Sequence, residues 1–115
     1  MKLTVLGGCG AWPAAGQACS GYLVELATGP FGINTWLLPH RMPNAGLRLT
    51  AGGQTLGYTG DTGPSDNLAD LARDADLFLA EATYATEVPA DSARQAYDGP
   101  VTVARPGIVI DLGLR

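Results

Sequence analysis

The chain is poor in the residues that metal and nucleophilic chemistry draw on. Its 115 residues hold one histidine, His40, and two cysteines, Cys9 and Cys19. With a single imidazole there is no second histidine for a classical triad, and Ser20, in Cys19-Ser20-Gly21, does not sit in a G-x-S-x-G elbow. The spacing of the cysteines matches no CxxC zinc pattern, so two unrelated thiols are the simpler reading. Cationic residues are few as well. Seven Lys and Arg stand against eleven Asp and Glu, a net charge of −4, which argues against a sequence-independent grip on nucleic acid. No apolar run approaches the about 20 residues of a membrane span. Nor does the N-terminal segment carry the long apolar region and small-residue cleavage site of a signal peptide, so cytoplasm is the expected compartment.

What is present is a globular composition, 46% hydrophobic and 16% charged, at a length suited to one domain. Met1–Leu6, Gly21–Glu25, Phe31–Leu38 and Gly46–Thr50 read as strands. The Ala51-Gly52-Gly53-Gln54 turn predicts a hairpin into Thr55–Thr59. One helix follows. Ser65 is placed to cap it, and Leu68, Leu71, Ala72 and Ala75 fall at i, i+3, i+4 and i+7 on one apolar face. Asp76–Glu81 reads as a buried strand, so strand, helix and strand predict a βαβ crossover. A short helix is predicted near Asp91–Tyr97. Val101–Ala104 and Gly107–Asp111 are predicted to close a hairpin through Arg105-Pro106.

The sharpest chemical feature is Tyr58-Thr59-Gly60-Asp61-Thr62-Gly63. A strand runs out, a glycine permits a tight turn, and a carboxylate is left at the sheet edge, where ligands of α/β proteins gather. Asp61 is therefore a metal ligand, a general base, or an acid capping its own turn. Glu81 ends the next strand, and two neighbouring carboxylates repel unless a metal or cation lies between them; otherwise Glu81 accepts from a backbone amide at a loop. His40 lies in a loop flanked by Pro39 and Pro43, as a ligand, proton shuttle, phosphate contact or backbone-bonded loop residue. Arg41 and Arg48 are anion contacts or solvated cations. The glycine loop Gly7-Gly8-Cys9-Gly10-Ala11-Trp12-Pro13 begins as GxG but has Pro13 at its sixth position, and no Lys-Ser/Thr pair follows, which leaves a nucleotide-binding module as the weakest reading.

These segments, in this order, resemble metallo-β-lactamase-fold hydrolases of the ribonuclease Z-like and phosphodiesterase-like branch. Met1–Pro13 resembles that branch's first strand and loop, and Ser20–Glu25 its second strand. His40–Arg48 is similar to its "HxxPxxGYR" segment, Tyr58–Thr62 to "Y-[ST]-G-D-T", Ala80–Tyr84 to "EA[ST][FY]", and Ala96–Val101 to "FDGPV". The resemblance implies a reduced αβ/βα sandwich, of α+β or α/β class, strand-rich with one firm helix. It also implies metal-dependent hydrolysis of a small-molecule or nucleotide phosphodiester at two zinc ions. Asp61 matches the carboxylate that bridges those metals. His40 matches a position near the active site that is not a standard ligand, and His40 or Arg41 is implied in contact with the phosphate. Glu81 and Thr62 are implied beside the bridging carboxylate.

The chain departs from the family where it matters most for metal. The "HxHxDH" signature expected after the second strand is absent, as are the later metal histidine and the C-terminal "LTH" histidine. The missing segments fall at two abrupt joints, near residues 25–29 and 90–94. A catalytic zinc needs about three protein ligands. The expectation is thus an incomplete site in a single incomplete domain that is unstable alone, a homo-oligomer, or part of a longer protein. The alternative is a non-catalytic domain acting in binding or oligomerisation.

Overall fold

The structure is a computed structural model that describes residues 1–7, 15–16, 19–26, 29–81, 100 and 102–113. The chain divides into two compact units. One comprises Met1–Lys2, Glu25–Glu81 and Asp111–Arg115, the other Leu3–Val24 and Ala82–Ile110.

The first unit is organised on a four-stranded sheet of order β3-β4-β5-β6. β3 (Phe31–Leu38) pairs antiparallel with β4 (Asn44–Ala51), and β4 pairs antiparallel with β5 (Gln54–Tyr58). The predicted hairpin turn is there. Gly52 and Gly53 both take positive φ, 58° and 73°, the backbone a two-residue turn demands and that side chains resist. After β5 the chain crosses through helix α1 (Asn67–Ala72) to β6 (Leu77–Leu79), which lies parallel to β5, so the predicted strand–helix–strand unit forms.

The helix is shorter than its apolar periodicity predicts. Arg73 leaves helical ψ, at 122°, and Asp74 takes φ 51°, so Ala75 falls beyond the last turn. Asp76 then turns its carboxylate onto the Thr55 N–H at 2.8 Å, and its own N–H onto the Thr55 carbonyl at 2.9 Å, tying the crossover back to β5. Ser65 Oγ accepts only the Asn67 N–H, at 3.3 Å, and the N-cap position is Asp66, which makes no capping bond with its side chain. The 77–79 segment is an edge strand with Phe78 partly exposed, where the apolar run had predicted a buried one.

The pairing register sorts the sheet into two faces, because directly opposed residues point the same way. Trp36, Leu38, Gly46, Arg48, Gly57 and Phe78 share one face, which carries α1. Leu71 is wholly buried there. Glycine is required beneath it: a Cβ on Gly46 would meet Leu71 Cδ2 at 2.6 Å, and one on Gly57 would meet the Leu71 carbonyl at 2.9 Å. The Arg48 guanidinium donates to that same Leu71 carbonyl at 3.1 Å, which satisfies a free carbonyl at the helix C-terminus. On the opposite face Leu56 and Gln54 are buried. Gln54 accepts from the Met1 amino group and donates to the carbonyls of Leu112 and Gly113, at 2.9 and 2.7 Å.

The second unit holds most of a three-stranded sheet, β2-β1-β7, from β1 (Lys2–Gly7), β2 (Gly21–Glu25) and β7 (Val109–Asp111). Leu3 and Val5 of β1 are buried. The Val5 N–H donates to the Ile108 carbonyl and the Gly107 N–H to the Val5 carbonyl, each at 2.9 Å. This corrects the predicted closing hairpin. Residues 102–104 form no strand, and the 109–111 strand finds its partner in β1. The helix predicted at Asp91–Tyr97 and the joint at 90–94 lie outside the described residues.

The αβ/βα sandwich implied by the resemblance is not what this chain forms. Such a sandwich needs helices outside both of its sheets. The described residues supply one six-residue helix, on one face of one sheet, in a small, strand-rich structure. Among them, no helix is long and apolar enough to cross a membrane.

Candidate functional site

The sheet order brings three connections of the first unit to one end. Antiparallel pairing puts the β3–β4 loop, residues 39–43, beside the C-terminal end of β5, and parallel pairing puts the end of β6 there too. His40 and Arg41 come from the first, Asp61 and Thr62 from the second, Glu81 from the third. Separations of about 20 residues in sequence thus collapse into a short row.

The β5 end is built by Asn44. Its side-chain amide donates to the Thr59 carbonyl at 3.0 Å and to the Asp61 carbonyl at 2.6 Å. Gly60, between them, takes φ 58°, and a Cβ there would stand 2.7 Å from Asn44 Oδ1. Gly60 is needed both for the backbone conformation and for the room. The Gly63 N–H donates to the Pro39 carbonyl at 2.8 Å, which joins this loop to the β3–β4 loop. The Thr59 side chain is buried, and its hydroxyl accepts the Glu81 N–H at 3.2 Å, which registers the end of β6 against β5.

Asp61 and Glu81 meet as a carboxyl pair. The Glu81 carboxyl is held above the ordinary carboxylate range, first by burial and then by its hydrogen bond with the Asp61 carboxyl and by that group's charge. The Tyr58 hydroxyl, which donates to Glu81 Oε1, opposes the shift. The raised Glu81 titration is in part the expression of the repulsion that the sequence predicts for these two acids. The remaining residues stand further off. His40 Nε2 lies 3.9 Å from Asp61 Oδ2, an ion-pair distance rather than a hydrogen bond, and His40 Nδ1 receives a long contact from the Met42 N–H at 3.5 Å. Thr62 spends its hydroxyl on the Gly63 carbonyl at 2.8 Å. Arg41 is exposed and enters no ion pair among the described residues.

The donor set does not fit a zinc pair. Among the described residues no three His, Cys, Asp or Glu side chains are grouped so as to hold an ion. The nearest approach is His40, Asp61 and Glu81, with His40 Nε2 3.9 Å from Asp61 Oδ2. Cys19 is an exposed free thiol, and Cys9 lies outside the described residues. The structure brings Asp61, Glu81 and His40 to one sheet end, beside Asn44 and Tyr58, which sequence reasoning did not single out. Tyr58 stood in the quoted motif as a pattern letter, and nothing in the sequence near Asn44 signals a residue that braces a turn 17 positions away.

The raised Glu81 titration has a measurable consequence. The folded chain keeps a proton that the unfolded chain releases near pH 4.5, so the folded state binds more protons as pH rises above that value. This stabilisation is present at low pH and is lost as pH climbs through the raised Glu81 value. Glu81→Gln keeps a donor toward Asp61 and an acceptor for Tyr58 without the charge. Its melting temperature is expected to rise relative to the wild type across that window. Parallel pH profiles for the two proteins would refute the raised Glu81 titration.

No protein-family model and no solved structure matches the chain. It is similar to uncharacterized protein Rv1339 of Mycobacterium tuberculosis and uncharacterized protein Mb1374 of Mycobacterium bovis. Each is 30% identical over 128 residues, spanning 93% of this chain and 47% of the relative. Uncharacterized protein ML1173 of Mycobacterium leprae is 49% identical over 49 residues, 42% of this chain and 17% of that protein. The chain thus spans about half the length of the curated relatives it matches. The 128-residue match exceeds the 115 residues of this chain, so the relatives hold positions inside the matched span that this chain lacks.

Proposed function

We propose that this chain derives from metal-dependent phosphodiester hydrolases of the ribonuclease Z-like and phosphodiesterase-like kind, and that it does not run their reaction itself. One observation carries the reading. His40, Asp61 and Glu81 occupy one sheet end, in the order the family motifs require, yet among the described residues no three such donors are grouped so as to hold an ion. The proposed substrate class of the parent activity is a small-molecule or nucleotide phosphodiester in the cytoplasm. Arg41 is an exposed guanidinium suited to a phosphate oxygen, and the net charge of −4 disfavours RNA. The matched relatives are longer within the matched span, which is consistent with ligand-bearing segments that this chain has lost.

The test is direct. The purified chain, equilibrated with zinc and dialysed, is expected to retain substoichiometric metal and to leave bis(p-nitrophenyl) phosphate unhydrolysed above buffer. Stoichiometric zinc that Asp61→Ala releases, together with turnover, would overturn the proposal. A second reading, that the chain acts by association, is favoured by a separate observation: large apolar side chains of β3 and β4 stand open to solvent.

A further inference from the structure

The face of the four-stranded sheet opposite α1 is closed at β5, where Leu56 and Gln54 are buried, and open at β3 and β4. Register places Phe31, Ile33, Thr35 and Leu37 of β3 on this face, opposite Ala51, Leu49, Leu47 and Ala45 of β4. Phe31 is 60% exposed, Ile33 56%, Leu37 73% and Leu47 41%. A single exposed leucine needs no explanation, but four large apolar residues in adjoining positions make a patch of the size that marks an interaction site.

We infer that this shelf is the interface of a two-fold dimer, in which the β3–β4 faces of two copies of the chain pack against each other. This deepens the reading that the chain acts by association and rests on it. Three features select a second copy as the occupant. First, the shelf carries no charge. The one charged residue of β3, β4 and β5 is Arg48, and it lies on the helix-bearing face. A chain of net charge −4 can therefore bring this surface against itself without like charges meeting at the centre. Second, the area is adequate. The four side chains and the small residues between them expose on the order of 500 Å² per copy, so a pair removes about 1,000 Å² from water, the threshold for a specific interface. Third, the width suits it. The shelf is two strands wide, β3 and β4, and ends at the covered Leu56 and Gln54 of β5, so an aligned sheet-on-sheet packing seats one strand pair on the other.

Sedimentation equilibrium of the full chain between about 1 and 100 µM, a range that brackets the affinity of a standard interface, tests this. The wild type is expected at twice its 11.8 kDa mass. Ile33→Lys and Leu47→Lys, each at a position open to solvent in one copy, are expected to weaken association at least tenfold while the far-ultraviolet strand spectrum is kept, since each buries an unpaired charge only in the dimer. Asn34→Lys, on the opposite face of β3, is expected to dimerise normally. A wild type that stays monomeric throughout overturns the inference. So does a dimer indifferent to both lysines, which is the behaviour of strand addition at the β3 edge. A dimer that binds zinc and hydrolyses the phosphodiester would overturn the proposed function and leave the interface standing. A monomer without metal or turnover would do the reverse.

Discussion

Leu71→Ala is expected to destabilise the first unit by about 3 to 5 kcal/mol, the cost of emptying a fully buried leucine site whose surroundings cannot close. Leu71 is wholly inaccessible, and it is the residue through which α1 reaches the sheet, above Gly46 and Gly57. Its neighbours have little means of filling the gap. Two are glycines, without side chains to swing inward, and the Leu71 carbonyl is fixed by Arg48. A six-residue helix has no stability of its own to spare, since isolated helices below about 12 residues are marginal in water. The helix should therefore come away with the leucine. The thermal midpoint is expected to fall by about 15 °C or more. A fall under about 4 °C would show that α1 is not what holds this sheet face.

Gly60→Ala is expected to cost about 2 to 4 kcal/mol and to disturb the candidate site. Roughly 1 kcal/mol comes from placing an alanine at φ 58°. The rest comes from Asn44. The new Cβ would stand 2.7 Å from Asn44 Oδ1, so the amide must turn away and surrender its bonds to the Thr59 and Asp61 carbonyls, at about 1 kcal/mol each. A double-mutant cycle separates the two contributions. In an Asn44→Ala background the clash is already gone, and Gly60→Ala should then cost only the backbone strain, about 1 kcal/mol. Equal costs in both backgrounds would mean that Asn44 does not brace this turn. With the brace lost, the Asp61 backbone is released, so the raised Glu81 titration should relax toward its ordinary value in the same variant.

Legibility in the sequence followed the range of the forces involved. β3 is read at its observed bounds and the β4–β5 turn at its observed residues, because the proline that ends the one and the glycine pair that makes the other act between near neighbours. The helix is read too long, because periodicity reports an apolar face but not the local backbone that ends it at Arg73. The C-terminal hairpin is misread for a related reason. Residues 109–111 have strand character that sequence can see, but the choice of β1 as partner is a pairing across about a hundred residues. The sandwich failed because resemblance carries a family's architecture along with its motifs, whereas an architecture requires every layer to be present.

The candidate site divides along the same line. By itself the sequence placed carboxylates at the ends of two strands and supplied one imidazole, fewer than the site implied by the resemblance would need. Those are matters of residue type and period. Only the tertiary structure decided that Asp61 and Glu81 come together beside the Tyr58 hydroxyl, that Asn44 braces the turn, and that the β3–β4 stripe lies uncovered. The physical reason is that protonation, bracing and burial depend on which atoms come within a few ångströms. In this chain those atoms belong to residues some 20 positions apart, brought together by strand pairing and not by any local preference.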